Sequence, residues 1–208
     1  MHAPTRSRLL DHETGWCLRA NRACAHGWLR RGFALVSRLG DGVFWYALMG
    51  ALVLLDGLNY EVARHALGHL QAYCAAGRAA LYKLDCALPA LSRPLYECIL
   101  TGVAPIDSGI VHNDVVRLSN QRSVFHYARD AGLSTAAAAY HWMSELYNHA
   151  PFVAARDRHT SDAALPIQHG HFYYADHYPD SHLFADAESL RLKYAPDFLL
   201  VHPMNIDD

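Results

Sequence analysis

The stretch VFWYALMGALVLLDGLNYEVA, residues 43–63, decides how the rest of the chain is interpreted. An uncharged run over residues 43–55 leads into Asp56 and Gly57, and a helix-like pattern follows. If residues 51–55 form a buried parallel strand, Asp56 lies at its carboxyl end, where α/β folds bind ligands. If the run instead begins a membrane helix, Asp56 marks the place where that helix stops.

The composition favours a folded, globular chain. Of the 208 residues, 52% are hydrophobic and 18% are charged, which argues against disorder. The formal net charge of −2 does not favour electrostatic binding of nucleic acid. The five cysteines include no CxxC pair, so buried free thiols in a reducing compartment are favoured over a zinc site. The 15 histidines raise the expectation of metal or acid–base chemistry.

The N-terminal segment has a helical pattern. Apolar residues recur at spacings of three and four over residues 13–39, and arginines fill much of the opposite face. This pattern fits either an amphipathic helix packed on a core or an interfacial helix at a membrane surface. The run over residues 43–55 is shorter than the roughly 18–20 residues of a spanning helix, and no cleavable signal peptide is visible.

The segment FALVSRLGDGVFWY, residues 33–46, resembles the N-terminal part of the type 2 phosphatidic acid phosphatase family of membrane proteins. No copy of that family's catalytic motifs follows, so the resemblance implies membrane association through residues 13–55 and no catalytic residue. We expect a helical segment at residues 1–50 and an α/β domain at residues 51–208. The predicted localisation is cytoplasmic or inner-membrane associated, and these two alternatives stay open.

After Asp56, predicted strands alternate with predicted helices, which is typical of a parallel sheet with helices on both faces. The strands are predicted at residues 51–55, 79–84, 134–140 and 197–202. The helices are predicted at residues 61–76, 95–100, 123–131, 141–147 and 181–194. Residues 150–180 are predicted to be a long functional loop or an insertion. Five histidines in and beside this loop are either plain surface residues or a further metal site: His159, His169, His171, His177 and His182.

Three pieces of the α/β region carry residues suited to phosphate chemistry. LVLLDG (52–57) predicts a strand that delivers Asp56, and FLLVHPMNIDD (198–208) predicts a second strand that delivers Asp207. PALSRPLYECILTGVAP (89–105) places Ser92 before a helix that Pro94 starts. Carboxylates suit divalent cations, and a hydroxyl at a helix N-terminus lies where a phosphate is favoured. Singly, each residue is better explained as a capping residue than as a ligand.

In order and spacing, these pieces resemble the alkaline phosphatase superfamily, in its nucleotide pyrophosphatase/phosphodiesterase-like branch. The matching segments are DG (56–57), PALSRP (89–94), LTGVAP (100–105), SGIVHN (108–113) and HPMNIDD (202–208). The resemblance implies an alkaline phosphatase-like α/β fold with a partial parallel sheet. It also implies a two-metal site, with zinc as the expected ion.

The resemblance assigns a role to five residues. Asp56 and Asp207 would each bind a metal ion, and Ser92 would be the nucleophile and bridge toward the metals. Arg93 and Asn113 would contact the substrate, a phosphate ester. The later ligands of the family pattern are not encoded before Asp208, so we expect about half of a two-metal site, weak metal binding and little turnover.

The leading prediction is a metal-dependent phosphoester hydrolase that uses a phosphoserine intermediate, present here as an N-terminal portion. Because the two resemblances meet in residues 51–57, we also predict a fusion joined there and truncated after Asp208. The alternative is a membrane-associated fragment or fusion protein without catalytic activity.

Overall fold

The computed structural model describes residues 50–205, in which five strands form one sheet. The strands are β1 (Ala51–Val53), β2 (Thr135–Tyr140), β3 (His159–Ser161), β4 (His169–Tyr173) and β5 (Phe198–Val201). Their order across the sheet is β1-β5-β2-β4-β3. The first four strands in this order run parallel, and β3 pairs antiparallel with β4. The predicted α/β class with a mostly parallel sheet is confirmed.

Several sequence predictions lie outside the described residues. They are the amphipathic helix at 13–39, the segment at 33–46 that resembles a membrane phosphatase, and Asp207 with Asp208. The domain boundary at residue 50 and the fusion stay predictions for the same reason. Within residues 50–205, no helix is long and apolar enough to cross a membrane.

Helices flank the sheet. They are α1 (Tyr60–Ala66), α2 (Gly68–Ala75), α3 (Ser92–Thr101), α4 (Pro105–Ser108), α5 (Val124–Asp130), α6 (Trp142–Tyr147), α7 (Ala154–Asp157) and α8 (Asp180–Tyr194). The predicted helices at 123–131, 141–147 and 181–194 match α5, α6 and α8 closely. The predicted helix at 61–76 is instead two helices, separated at Leu67, whose ψ of 73° is not helical.

The central strands β2 and β5 are buried on both faces of the sheet, because alternate residues of a strand point in opposite directions and both sets are covered. Leu199 and Val201 of β5 lie in a cluster with Leu183 and Leu190 of α8. Phe198 alternates with these residues along β5 and points to the other face of the sheet. There its ring packs against the Phe125 ring of α5, with centroids 5.3 Å apart. All six residues of β2 are buried, and four of them are alanines that let helices approach closely.

Two segments differ from the secondary structure predicted for them. Residues 79–84 form neither helix nor strand, and the apolar side chains of Tyr82 and Leu84 are exposed, so no core burial fixes them in a strand. The predicted loop at 150–180 contains α7, β3 and β4. In these strands the backbone pairs with neighbours, although the sequences HTS and HGHFY lack the apolar run that predicts a strand.

Helix α3 begins three residues earlier than the sequence predicted, and this start positions Ser92. Leu91 has extended φ and ψ as the N-cap, and Pro94 lies in the first turn, where the N–H it lacks has no helical acceptor. The helix ends at Gly102, whose φ of 74° is the left-handed conformation that favours glycine. Ser92 is therefore the first residue of a ten-residue helix.

Candidate active site

The candidate site lies at the edge of the sheet where the parallel strands end. Asp56 follows β1, and His202 directly follows β5. Parallel strands place their carboxyl ends on the same edge, so the sheet brings these two residues together although 146 positions separate them in sequence. The Asp56 amide donates to the Pro203 carbonyl at 3.3 Å, which ties the two strand ends to each other.

Tyr96 lies next to both Asp56 and Ser92. Its phenol donates a hydrogen bond to Oδ2 of Asp56, and the Ser92 hydroxyl is near enough to lower the pKa of the phenol. Burial and the Asp56 carboxylate raise the pKa of Tyr96 far above its usual value, so the phenol keeps its proton. Tyr96 is 2% exposed, whereas Ser92 and Asp56 are half-buried. The predicted nucleophile and the predicted metal ligand thus both lie next to Tyr96.

His202 is fully buried beside this group. Its ring meets the Tyr96 ring edge-on with centroids 4.6 Å apart, and neither ring nitrogen has a hydrogen-bond partner among the described residues. Burial lowers the pKa of His202 to about 4, and the nearby Asp56 opposes this shift only in part. His202 is therefore neutral at neutral pH. Its backbone is fixed by Ala138, whose carbonyl accepts from the amide, and by the Tyr173 hydroxyl, which donates to its carbonyl at 2.7 Å.

Asn113 lies against the first turn of α3. Its Oδ1 accepts a hydrogen bond from the Arg93 amide at 3.1 Å. A backbone N–H can only donate, so it must meet the oxygen of the side-chain amide, and the Nδ2 hydrogens remain for another acceptor. The positive end of the α3 dipole and the Asn113 amide are both suited to a phosphate oxygen next to Ser92.

The Arg93 side chain points into the protein. Its guanidinium is fully buried, pairs with Glu145 of α6, and donates to the Val115 carbonyl at 2.7 Å. It also lies over the Trp142 ring, 4.7 Å from the centroid. The predicted substrate contact of Arg93 stays a prediction. In this structure the part of Arg93 next to Asn113 is its backbone amide.

The residues of this site lie in a region that matches a known protein family. A model of the type I phosphodiesterase / nucleotide pyrophosphatase family matches residues 51–207. The chain belongs to this family. The match begins at β1, where the predicted domain starts, and includes Asp56, Ser92 and Asn113. Searches of characterised proteins and of solved structures found no match.

Membership of the type I phosphodiesterase family supports phosphoester hydrolysis in general and implies divalent metal ions. The donors at the described site are the Asp56 carboxylate and the Ser92 hydroxyl, and Tyr96 already occupies one oxygen of Asp56. Among residues 50–205, no group of three or more His, Cys, Asp or Glu side chains is arranged to hold a metal ion. The described donors therefore do not fit a complete two-metal centre.

The absence of such a group among residues 50–205 also applies to the histidines at residues 159–182. His159 and His171 face each other with ring centroids 4.8 Å apart, and Nδ1 of His171 lies 3.4 Å from Asp186. His169 instead stacks on Tyr194 with centroids 3.7 Å apart. Antiparallel pairing of β3 with β4 brings these histidines together without gathering three ligands, so the alternative of a metal site here is not supported in the described part of the chain.

Tyr96 was not predicted from the sequence as part of the site. A signal for Tyr96 exists, because it lies four residues after Ser92 and therefore on the same face of α3. Glu145 was also missed. It lies 52 residues from its partner Arg93, and no local spacing connects the two.

Proposed function

We propose that this protein is a phosphodiesterase or nucleotide pyrophosphatase that uses Ser92 as its nucleophile and passes through a phosphoserine intermediate. The observation that carries the proposal is the position of Ser92 at the positive end of α3, with the Asn113 amide fixed against the next residue. Both residues lie in the region that matches the family.

The first step forms a bond between Oγ of Ser92 and the substrate phosphorus. The bond from phosphorus to the leaving oxygen breaks, and that oxygen departs with the electron pair and takes up the equivalent of the serine proton. Water then hydrolyses the phosphoserine and regenerates the hydroxyl. Throughout, the Nδ2 hydrogens of Asn113 and the α3 dipole stabilise negative charge on the phosphoryl oxygens.

We also propose that two divalent ions bind at this site, with zinc as the expected metal. Asp56, Ser92 and Asp207 would hold them, and the support for this is the family resemblance. When bound, the ions would supply positive charge that lowers the pKa of the Ser92 hydroxyl. The donors in residues 50–205 are too few to hold an ion by themselves.

The substrate's leaving group is proposed to enter a cavity of about 160 Å³ at the carboxyl end of β4. Tyr173 lines this cavity, and its hydroxyl reaches the backbone of His202 at 2.7 Å, which joins the cavity to the cluster around Asp56. Phe152 and Tyr174 supply aromatic walls, and Arg158 supplies a cation. These walls suit a planar leaving group better than a long alkyl chain.

Hydrolysis of bis-p-nitrophenyl phosphate by the purified chain, with zinc or manganese added, tests the proposal. We expect slow turnover that Ser92→Ala abolishes, because the covalent step loses its nucleophile. Ser189→Ala, at an exposed serine of α8, is the matched control and leaves turnover unchanged. Absence of turnover in the wild-type chain, or equal turnover in Ser92→Ala, would reject the proposal.

A further inference from the structure

Arg93 and Glu145 form an ion pair inside the protein, next to the site but out of contact with solvent. Arg93 is 0% exposed and Glu145 is 5% exposed. Removing two charges from water is unfavourable unless both are paired and hydrogen-bonded in good geometry. The pair therefore persists only because the surrounding elements hold it in one arrangement.

Arg93 makes hydrogen bonds to both ends of the segment at residues 113–115. Its backbone amide donates to Asn113 at 3.1 Å, and Nη1 donates to the Val115 carbonyl at 2.7 Å. Since Ser92 directly precedes Arg93, these contacts place the nucleophile and Asn113 at a fixed distance from each other. The Trp142 ring beneath the guanidinium limits its movement further.

Glu145 extends the same connection to the cavity. One carboxylate oxygen pairs with Arg93, and the other accepts from the Phe152 amide at 2.9 Å. Phe152 lines the cavity proposed for the leaving group. A single carboxylate therefore connects the first turn of α3 with the cavity wall, and His141 lies 3.9 Å from the oxygen that pairs with Arg93.

We propose that Glu145 is a positioning residue, which acts through Arg93 to hold Ser92 and Asn113 in register with the cavity wall at Phe152. The expected effect of Glu145 on the reaction rate rests on the proposed function, whereas its expected effect on the positions of Ser92 and Asn113 does not. A nucleophile must lie about 3–3.5 Å from its target, and displacement by about 1 Å costs on the order of a hundredfold in rate. Glu145 meets this requirement without touching the substrate.

Two variants of the full chain test the proposal. Glu145→Gln keeps the shape and removes the charge, and Arg93→Lys keeps the charge and removes the planar fork. Glu97→Gln is the control. Glu97 is a buried carboxylate like Glu145 and lies on the same helix as Arg93, but it accepts hydrogen bonds from Ser119 and Tyr147 instead. All three variants are expected to lose thermal stability, so stability does not separate positioning from general support.

The deciding measurement is the pair of Asn113 Nδ2 signals in a ¹H–¹⁵N NMR spectrum, assigned by their loss in Asn113→Asp. We expect these signals to move in Glu145→Gln and in Arg93→Lys and to stay in place in Glu97→Gln. In the hydrolysis assay we expect kcat to fall by about tenfold or more in Glu145→Gln, and by less than about threefold in Glu97→Gln.

The outcomes separate the two proposals. If the wild-type chain hydrolyses no ester, the proposed function fails, and the NMR measurement still decides whether Glu145 positions Asn113. Unmoved Asn113 signals in both pair variants, or equal movement in Glu97→Gln, would overturn the positioning role. Loss of the folded state in both pair variants would overturn it too, since the pair would then be a general stability element.

Discussion

Residues 50–91 and residues 92–205 contribute to the same site but are packed very differently. In residues 50–91, Ala63 is the one buried residue, and helix α2 buries none. From Arg93 onward the chain contains the remaining buried core, including every residue of β2 and β5. Asp56 belongs to the first region, and Ser92 begins the second.

This difference shows that Asp56 is positioned by the second region more than by its own. Its strand β1 is short and lies at the edge of the sheet, where it pairs with β5. Its carboxylate accepts from Tyr96, and its amide donates to Pro203. We therefore expect residues 50–91 to open locally at a lower free energy than the core, while Ser92 stays in place.

The largest expected effect is a difference in the free energy of unfolding between two substitutions, one at a core residue and one at a surface residue of the lightly packed region. Phe125 is fully buried against Phe198 and Tyr147, so Phe125→Ala leaves a cavity and should lower the free energy of unfolding by about 3–5 kcal/mol. Val62 is 52% exposed, so Val62→Ala should change it by less than about 0.5 kcal/mol. Urea unfolding measures both, and similar values would remove the distinction between the regions.

A second effect concerns acid stability through His202 of the buried region. The folded pKa of about 4 lies below the unfolded value of 6.5, so the unfolded chain binds more protons in this window. Stability from this group is therefore complete above pH 6.5 and is lost as the pH falls toward 4. The loss should reach about 3 kcal/mol below that pH.

Unfolding measured from pH 7 to pH 4 tests this expectation. His202→Gln should remove the part of the pH dependence of the free energy of unfolding that His202 contributes, because glutamine does not titrate. His69→Gln, at an exposed position of α2, should leave the dependence as it is in the wild type. An unchanged pH dependence in His202→Gln would show that this histidine does not carry the effect.

The smallest expected effect compares helix caps in the two regions. The Asn59 side chain accepts from the Glu61 amide at 2.8 Å, so Asn59→Ala should destabilise α1 by about 1 kcal/mol. Because α1 is lightly packed, amide exchange in α1 should quicken while the global unfolding midpoint stays unchanged. Ser123 is the buried N-cap of α5, and Ser123→Ala should lower the global midpoint instead. A lower global midpoint in Asn59→Ala would mean that α1 unfolds together with the core.

The sequence predicted elements well where a local pattern and a burial pattern agree. The strand at 134–140 and the helix at 181–194 are examples, because small or apolar residues lie between clear turn or capping signals. It failed at residues 159–161 and 169–173, where polar strands are stabilised by backbone pairing with β2 and with each other. Such pairing depends on partners distant in the chain, which no local window contains.

The candidate site shows the same division. Asp56, Ser92 and Asn113 were identified from motif order, and the structure brings the first two to a common neighbour, Tyr96. The inward direction of Arg93 and its pairing with Glu145 were not identified. A guanidinium beside a predicted nucleophile suggests a substrate contact, and only the packing of α6 against α3 supplies the buried carboxylate that draws it inward.

The sequence by itself determined the fold class, the position of Ser92 at a helix start and the family to which residues 51–207 belong. These follow from local periodicity, capping residues and motif order, which the chain carries in short stretches. The tertiary structure decided the neutral state of His202, the hydrogen bond from Tyr96 to Asp56, and the link from Arg93 through Glu145 to Phe152. Each depends on burial and on contacts between distant segments, which exist only once parallel strands have placed their carboxyl ends along one edge.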